Sequence, residues 1–265
     1  MSQILAEILA HKRQEVTDAK RRLSFADLHE RAIQASPIRS FARALDEKVE
    51  RARPAIIAEM KRASPSRGVL RQDLDPAGIA GLYERAGAAA LSVLTDERYF
   101  GARADDLARA RGACRLPVLR KDFMVDSYQI AESRAMGADC VLLIVAALDA
   151  GQLEELYAAA RSYGLDVLVE VHDADELHRA LALPGGILGI NNRDLRTFVT
   201  TIERTIDLMG VVPANRFVVT ESGVLERADV SRLKGAGLHG FLVGEAFMVA
   251  PDPGARLRQL FEGWI

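Results

Sequence analysis

Eight short apolar runs follow residue 54, separated by stretches of helical character. They predict an α/β fold, a (β/α)8 TIM barrel, with residues 1–50 as an N-terminal helical extension packed on it. Two further observations point the same way. Most of the runs are continuously apolar, as parallel strands covered on both faces should be. The 265 residues also suit one barrel domain spanning 1–265. The runner-up is an open, doubly wound sheet. The count of eight disfavours it, and no G-x-G-x-x-G follows the first run.

The predicted strands are Ala55–Met60, Ala90–Thr95, Pro117–Asp122, Cys140–Val145, Asp166–Val171, Ile187–Asn191, Arg216–Glu221 and Gly240–Gly244. Helices are predicted over 76–86, 103–111, 126–136, 149–163, 173–182, 201–209 and 226–235, and a last one over 254–263. In the extension, Ile4, Leu5, Ile8 and Leu9 recur at helical spacing and continue to Val16. Ser24-Phe-Ala-Asp-Leu and Ser40-Phe-Ala-Arg-Ala-Leu each begin as a capped helix. The extension is expected to pack on the main domain and could also cover a site.

Composition narrows the function classes. A formal net charge of −2 gives no reason to expect nucleic acid as a partner. The basic clusters Lys12-Arg13 and Lys20-Arg21-Arg22 are short and lie among acids, as on a solvated helix face. No uncharged stretch reaches the length of a membrane span, and the N-terminus carries no signal-peptide pattern. Cys114 and Cys140 fit neither a metal-ligand spacing nor C-x-x-C. Cys140 sits in an apolar run and reads as core. That usage suits a reducing cytoplasm. The sequence offers no metal cluster.

In a barrel, functional groups gather where strands end. Here the runs end repeatedly in polar residues. The first ends in Glu59 and Lys61, which period-2 geometry places on one face. Charges at the end of a buried strand are costly unless paired or working. An ion pair is the plain reading of that pair alone. The other runs end Arg120-Lys121-Asp122-Phe123, Glu170-Val171-His172, Asn191-Asn192-Arg193-Asp194, Glu221-Ser222-Gly223 and Gly244-Glu245. Six such endings on one rim predict an active site. Parity allows Lys121 with Phe123, Glu170 with His172, and Asn191 with Arg193 to point into the mouth.

A lysine in such a mouth can lose its proton and form a Schiff base, or stay protonated as a general acid. Glu59, Glu170 and Glu221 nearby favour the protonated form of Lys121. Glu170 is then the natural basic partner. His172 is a weaker candidate, because a strand-end histidine is more often a structural hydrogen-bonder. The glycines after runs seven and eight stand where barrels bind phosphate through backbone N–H groups. The Glu245 side chain is ill suited to phosphate, so contact there should be through its backbone. Lys61 could add a cation.

Taken together, the rim segments resemble the indole-3-glycerol phosphate synthase family. The stretches that carry the resemblance are Glu59-Met-Lys61-Arg-Ala-Ser64-Pro-Ser66, Val93-Leu-Thr-Asp-Glu-Arg-Tyr99-Phe100, Leu119-Arg-Lys121-Asp-Phe123, Leu168-Val-Glu170-Val-His172, Gly189-Ile-Asn191-Asn-Arg193-Asp-Leu, Glu221-Ser222-Gly223-Val and Leu242-Val-Gly244-Glu. Each is weak alone; their joint order and spacing are specific and cover nearly the whole chain. The resemblance implies a phosphorylated small-molecule substrate, 1-(2-carboxyphenylamino)-1-deoxyribulose 5-phosphate. It implies ring closure with loss of carbon dioxide and water in tryptophan biosynthesis. It implies no cofactor, and the expected assembly is a monomer or weak homo-oligomer.

Roles follow from the same resemblance. Lys121 looks like the general acid and Glu170 like its acid–base partner. Lys61 would hold substrate anions and could share in proton transfer. Glu59, Asn191 and Glu221 would orient the substrate and stabilise cationic intermediates. Arg193 and Ser222 would help hold it. Phe100 and Phe123 would wall a slot for the aromatic ring. Ser64, Gly223, Gly244 and the Glu245 backbone would form the phosphate side. The chain departs from the family pattern at Ala102-Arg103, where Gly-Ser is frequent, at Arg67, where lysine is common, and at Ala246-Phe247, where a serine usually follows Gly-Glu.

Three alternatives remain open on the residues. A phosphoribosylanthranilate isomerase would want a Cys/Asp pair at strand ends, which neither cysteine supplies. A Schiff-base aldolase would use Lys121 as nucleophile. A non-catalytic barrel that binds a phosphate metabolite would have no need of the Lys121, Glu170 and Lys61 set.

Overall fold

The computed structural model describes residues 2–265. Eight parallel strands form the barrel: β1 (Ala55–Met60), β2 (Ala90–Leu94), β3 (Val118–Lys121), β4 (Cys140–Ile144), β5 (Asp166–Val171), β6 (Ile187–Asn191), β7 (Val218–Glu221) and β8 (Gly240–Val243). They pair in chain order, and β1 closes the ring by pairing with both β2 and β8. Ile57 stands opposite Ala90 in one register and Leu242 in the other. β1, β5 and β6 match their predicted bounds.

Helices fill the crossovers: α4 (Pro76–Arg85), α6 (Asp106–Ala113), α7 (Ser127–Ala135), α8 (Ala150–Ser162), α9 (Ala174–Leu181), α10 (Glu203–Met209), α11 (Arg227–Gly235) and α13 (Pro253–Leu260). Their starts are written in the sequence. Asp75 caps α4, with Pro76 in its first turn. Asp149 and Gln152 form a reciprocal capping box on α8. α6 begins three residues later than predicted, because Asp106 accepts the N–H of Arg103 at 2.8 Å and holds that stretch as a turn. Two four-residue helices, α5 (Glu97–Phe100) and α12 (Glu245–Met248), and a small hairpin pairing Ala63–Ser64 with Gly68–Val69, have no periodic signal and went unpredicted.

The extension folds as α1 (Gln3–Arg22), α2 (Phe25–Gln34) and α3 (Phe41–Glu50), with Ser2, Ser24 and Ser40 as N-caps. It runs as a strap from the mouth of the barrel to its base. α1 lies at the strand C-terminal ends. α2 packs on α7 through Leu28 and Ala131. α3 lies beneath the strand N-terminal ends, where Phe41 and Leu45 are fully buried. Burial on that scale stabilises by about 1.5–3 kcal/mol per side chain. Polar bonds fix the lower end: the Ala42 N–H donates to Asp166 Oδ2 at 2.9 Å, and Lys48 Nζ to the Gly87 carbonyl at 2.8 Å.

One expectation is overturned. Lys12 does not stand on a solvated face; it is 4% exposed. Its Nζ lies 2.6 Å from Glu15, 2.9 Å from Asp96 and 3.0 Å from Asp122. Burial opposes its charge, but the three carboxylates outweigh that and hold it above the ordinary lysine range. The i,i+3 pair with Glu15 is visible in the sequence. The two aspartates that draw the side chain inward belong to distant strand ends. Arg21, by contrast, is exposed as expected.

Candidate active site

One cavity opens at the C-terminal ends of the strands, and every residue to which the resemblance assigns a role lines it. β1 and the turn after it supply Glu59, Lys61 and Ser64. β3 supplies Lys121 and, just beyond, Phe123. Glu170 comes from β5, Asn191 from β6 with Arg193 after it, and Glu221 from β7 with Ser222 and Gly223 after it. Gly244 and Glu245 follow β8. Phe100 ends α5 and stands against Phe123, ring centroids 6.2 Å apart, forming an aromatic wall. Ile4, Leu5 and Ile8 of α1 complete the apolar side.

The charges are arranged about Lys121. Its Nζ lies 3.1 Å from Glu170 Oε2 and 3.3 Å from Glu221 Oε2. Burial pulls the ammonium down, but Glu170, Glu221 and Glu59 outweigh it and hold Lys121 well above its ordinary value. A Schiff-base nucleophile needs the reverse. The two carboxylates diverge. Burial raises Glu170, yet Lys121, His172 and the Asn191 amide at 3.2 Å bring it down to about 2. Burial, with Glu170 and Glu59 adding to it against the pull of Lys121, pushes Glu221 up to about 8. Glu221 Oε1 is buried with no hydrogen-bond partner. Two carboxylates share one ammonium and only one of them ionises readily, a pattern that separates base from acid.

Glu59 and Lys61 form a second couple, Nζ to Oε1 2.6 Å. Burial opposes ionisation of Glu59, but Lys61, Lys121 and the Ser92 hydroxyl hold its carboxyl below the ordinary range. The backbone makes room for these acids. A Cβ at Gly189 would strike Glu221 Oε1, and one at Gly244 would lie 2.5 Å from Glu59 Oε1. Glycine is required at both positions for the carboxylates to lie where they do.

The mouth is laced from the other side. Arg193 donates to Ser66 Oγ at 3.0 Å and to Glu245 Oε2 at 3.1 Å, and Arg67 pairs with Glu245 Oε1 at 2.9 Å. Ser222 and Gly223 are both left-handed, φ 64° and 80°. Asn192 fixes that turn: its amide donates to the Ser222 carbonyl at 2.9 Å and to Thr220 Oγ1 at 2.8 Å, and its oxygen accepts from Thr205. Sequence reading named Asn191 and passed over Asn192, whose partners lie on β7 and α10. His172 also departs from the parity expectation. It does not line the cavity, because Glu176 of α9 takes its Nδ1 at 3.0 Å and draws the ring behind Glu170.

The cysteines are free and buried; Cys140 opens β4 at the base, away from the cavity. Among the described residues, no group of three or more His, Cys, Asp or Glu side chains is placed to hold a metal ion.

The geometry coincides with a family. The sequence model for indole-3-glycerol phosphate synthase matches residues 5–260. The chain belongs to the indole-3-glycerol phosphate synthase family. The enzyme of that name from Leptothrix cholodnii is 54% identical over 261 residues, covering 98% of this chain and 100% of its own length. The one from Bordetella pertussis is also 54% identical, over 260 residues, with 98% and 99% covered. A solved N-acetylmannosamine-6-phosphate 2-epimerase from Clostridium perfringens superposes with a TM-score of 0.59 at 12% identity, over 75% of this chain and 89% of its own; it shares the fold alone. The three departures from the synthase pattern have plain settings. Ala102 is buried and Arg103 enters the turn before α6. Arg67 pairs with Glu245. Ala246 and Phe247 are buried in α12, where Phe247 meets Tyr83 with ring centroids 5.6 Å apart.

Proposed function

We propose that this chain closes the indole ring of 1-(2-carboxyphenylamino)-1-deoxyribulose 5-phosphate, with loss of carbon dioxide and water. The observation that carries the reading is Lys121, a buried ammonium between an ionised Glu170 and a proton-retaining Glu221. Lys121 protonates the ketone as the aromatic carbon attacks it. The cationic ring that results sits against the ionised Glu170 and Glu59, which stabilise it until the carboxylate leaves as carbon dioxide. Glu170, held ionised, takes the proton released in the dehydration. Lys61, paired with Glu59, holds substrate anion.

Phe100 and Phe123 pack the aromatic ring, with Ile4, Leu5 and Ile8 opposite. Arg193 and Ser222 hold the substrate, and Asn191 orients it. Ser64, Gly223, Gly244 and the Glu245 backbone receive the phosphate, with Lys61. The Glu245 carboxylate serves elsewhere, neutralising Arg193 and Arg67. No helix among the described residues is long and apolar enough to cross a membrane, and two free buried cysteines agree with a reducing cytoplasm, where we place the enzyme. The test is turnover of that substrate, followed by indole fluorescence. The reading predicts product from the purified chain; folded protein that yields none refutes it. Borohydride added with a keto substrate should leave Lys121 unmodified, and an adduct there would favour the aldolase.

A further inference from the structure

The proposed reaction takes up protons as well as moving them. The ketone oxygen leaves as water and so receives two protons. Dehydration returns one proton from the new ring. The carboxylate departs as carbon dioxide, its bonding electrons staying with the ring. One proton per turnover must therefore come from solvent. With substrate filling the cavity, that proton needs a path that does not cross the substrate.

Behind Glu170 there is such a path. His172 is outside the cavity lining, and its side chain is 10% exposed. Nε2 is buried without a hydrogen-bond partner and lies 3.4 Å from Glu170 Oε1. Nδ1 lies 3.0 Å from Glu176 Oε2, which also accepts the His172 backbone N–H at 2.8 Å and so fixes the ring. The Glu176 side chain is 17% exposed, against 3% for Glu170. Glu170 in turn touches Lys121. The order Glu176, His172, Glu170, Lys121 leads from solvent to the general acid.

We infer that His172, fixed by Glu176, delivers the solvent proton that each turnover consumes. Lys121 gives both protons to the departing oxygen. Glu170 returns to the amine one proton from the dehydration and a second that the imidazolium delivers from Nε2 to Glu170 Oε1, and the neutral imidazole is recharged from the Glu176 side. His172 is a positioning and relay residue; it does not touch the substrate. The groups facing it are Glu170 of its own strand, Glu176 of α9 and Glu221 of β7, with Lys121 of β3 beyond Glu170. Burial works against its charge, but these carboxylates prevail and raise it above its ordinary value, so the ring keeps its proton to higher pH than a free imidazole and discharges as pH rises further.

This inference rests on the synthase reading, and kinetics of His172→Gln, His172→Ala and Glu176→Gln test it. The relay predicts that kcat of His172→Gln falls by about tenfold or more while KM stays within about twofold. The variant should also lose the alkaline decline that the wild type shows as His172 discharges, leaving only the step of Glu221 near 8. Added imidazole should restore turnover to His172→Ala, which a purely structural role would not allow. Wild-type kcat and pH profile in His172→Gln, or in Glu176→Gln should the histidine variants not fold, would overturn the relay. A wild-type chain that makes no product overturns the synthase reading, and the relay falls with it. Product from the wild type with unaltered variants overturns the relay alone.

Discussion

The two ends of the barrel use the same residue types to opposite effect. At the base, Asp139 is buried between donors: its oxygens accept from the Arg39 N–H at 2.8 Å, the Val118 N–H at 2.8 Å and the Arg111 guanidinium. Arg39 in turn donates to the Cys114 and Leu116 carbonyls. Each carboxylate oxygen there has a partner. At the mouth, Lys121 is divided between two carboxylates, and Glu221 keeps an oxygen with none. Asp139 is satisfied within the fold, whereas the carboxylates proposed to do chemistry at the mouth keep capacity to spare.

The sharpest way to break that contrast is Lys121→Ala. Turnover should fall by about two orders of magnitude or more, the range of general acid–base catalysis, while circular dichroism reports a folded barrel. Near-wild-type turnover would remove Lys121 from the mechanism. Asp139→Ala should do the converse. Removing one partner of a buried pair costs about 3–5 kcal/mol of stability, read by denaturant unfolding, and kcat per folded molecule should hold. A matching loss of kcat would erase the distinction between the ends.

A smaller effect is expected at Lys61. Its alanine variant should raise KM and lower kcat, each by about tenfold, as loss of an anion-holding group requires. A change in kcat alone would separate it from anion binding. The least effect is on pH-dependent stability. Glu170 is bound lower in the folded state than its ordinary 4.5, so its contribution is present above 4.5 and is lost as pH falls toward about 2. Glu221 is raised, so the unfolded chain releases its proton first, and stability declines from 4.5 to about 8. Glu221→Gln should flatten that second limb in a series of thermal melts; an unchanged slope would contradict the raised carboxyl.

The same contrast explains what the sequence could reveal. A charge at the end of an apolar run has few inexpensive settings, so Glu59, Lys121, Glu170 and Glu221 stood out, and strand parity brought Glu59 and Lys61 together correctly. The bounds of β1, β5 and β6 were also legible to the residue. Lys12 was misread because its decisive partners, Asp96 and Asp122, adjoin it only in three dimensions. Asn192 and His172 were passed over or misdirected for the same reason: Thr205 and Glu176, on neighbouring helices, determine where they point. α5 and α12 have four residues each, too few to repeat a helical period.

The central claim is that two buried carboxylates on one ammonium at the mouth differ in ionisation, Glu221 raised by burial and its neighbouring acids and Glu170 held low against burial by Lys121. Carboxyl-selective NMR titration of the folded chain, with Glu170→Gln and Glu221→Gln variants to assign the signals, measures it directly. The account predicts Glu170 titrating near 2 and Glu221 near 8; two carboxyls titrating together near 4.5 would contradict it.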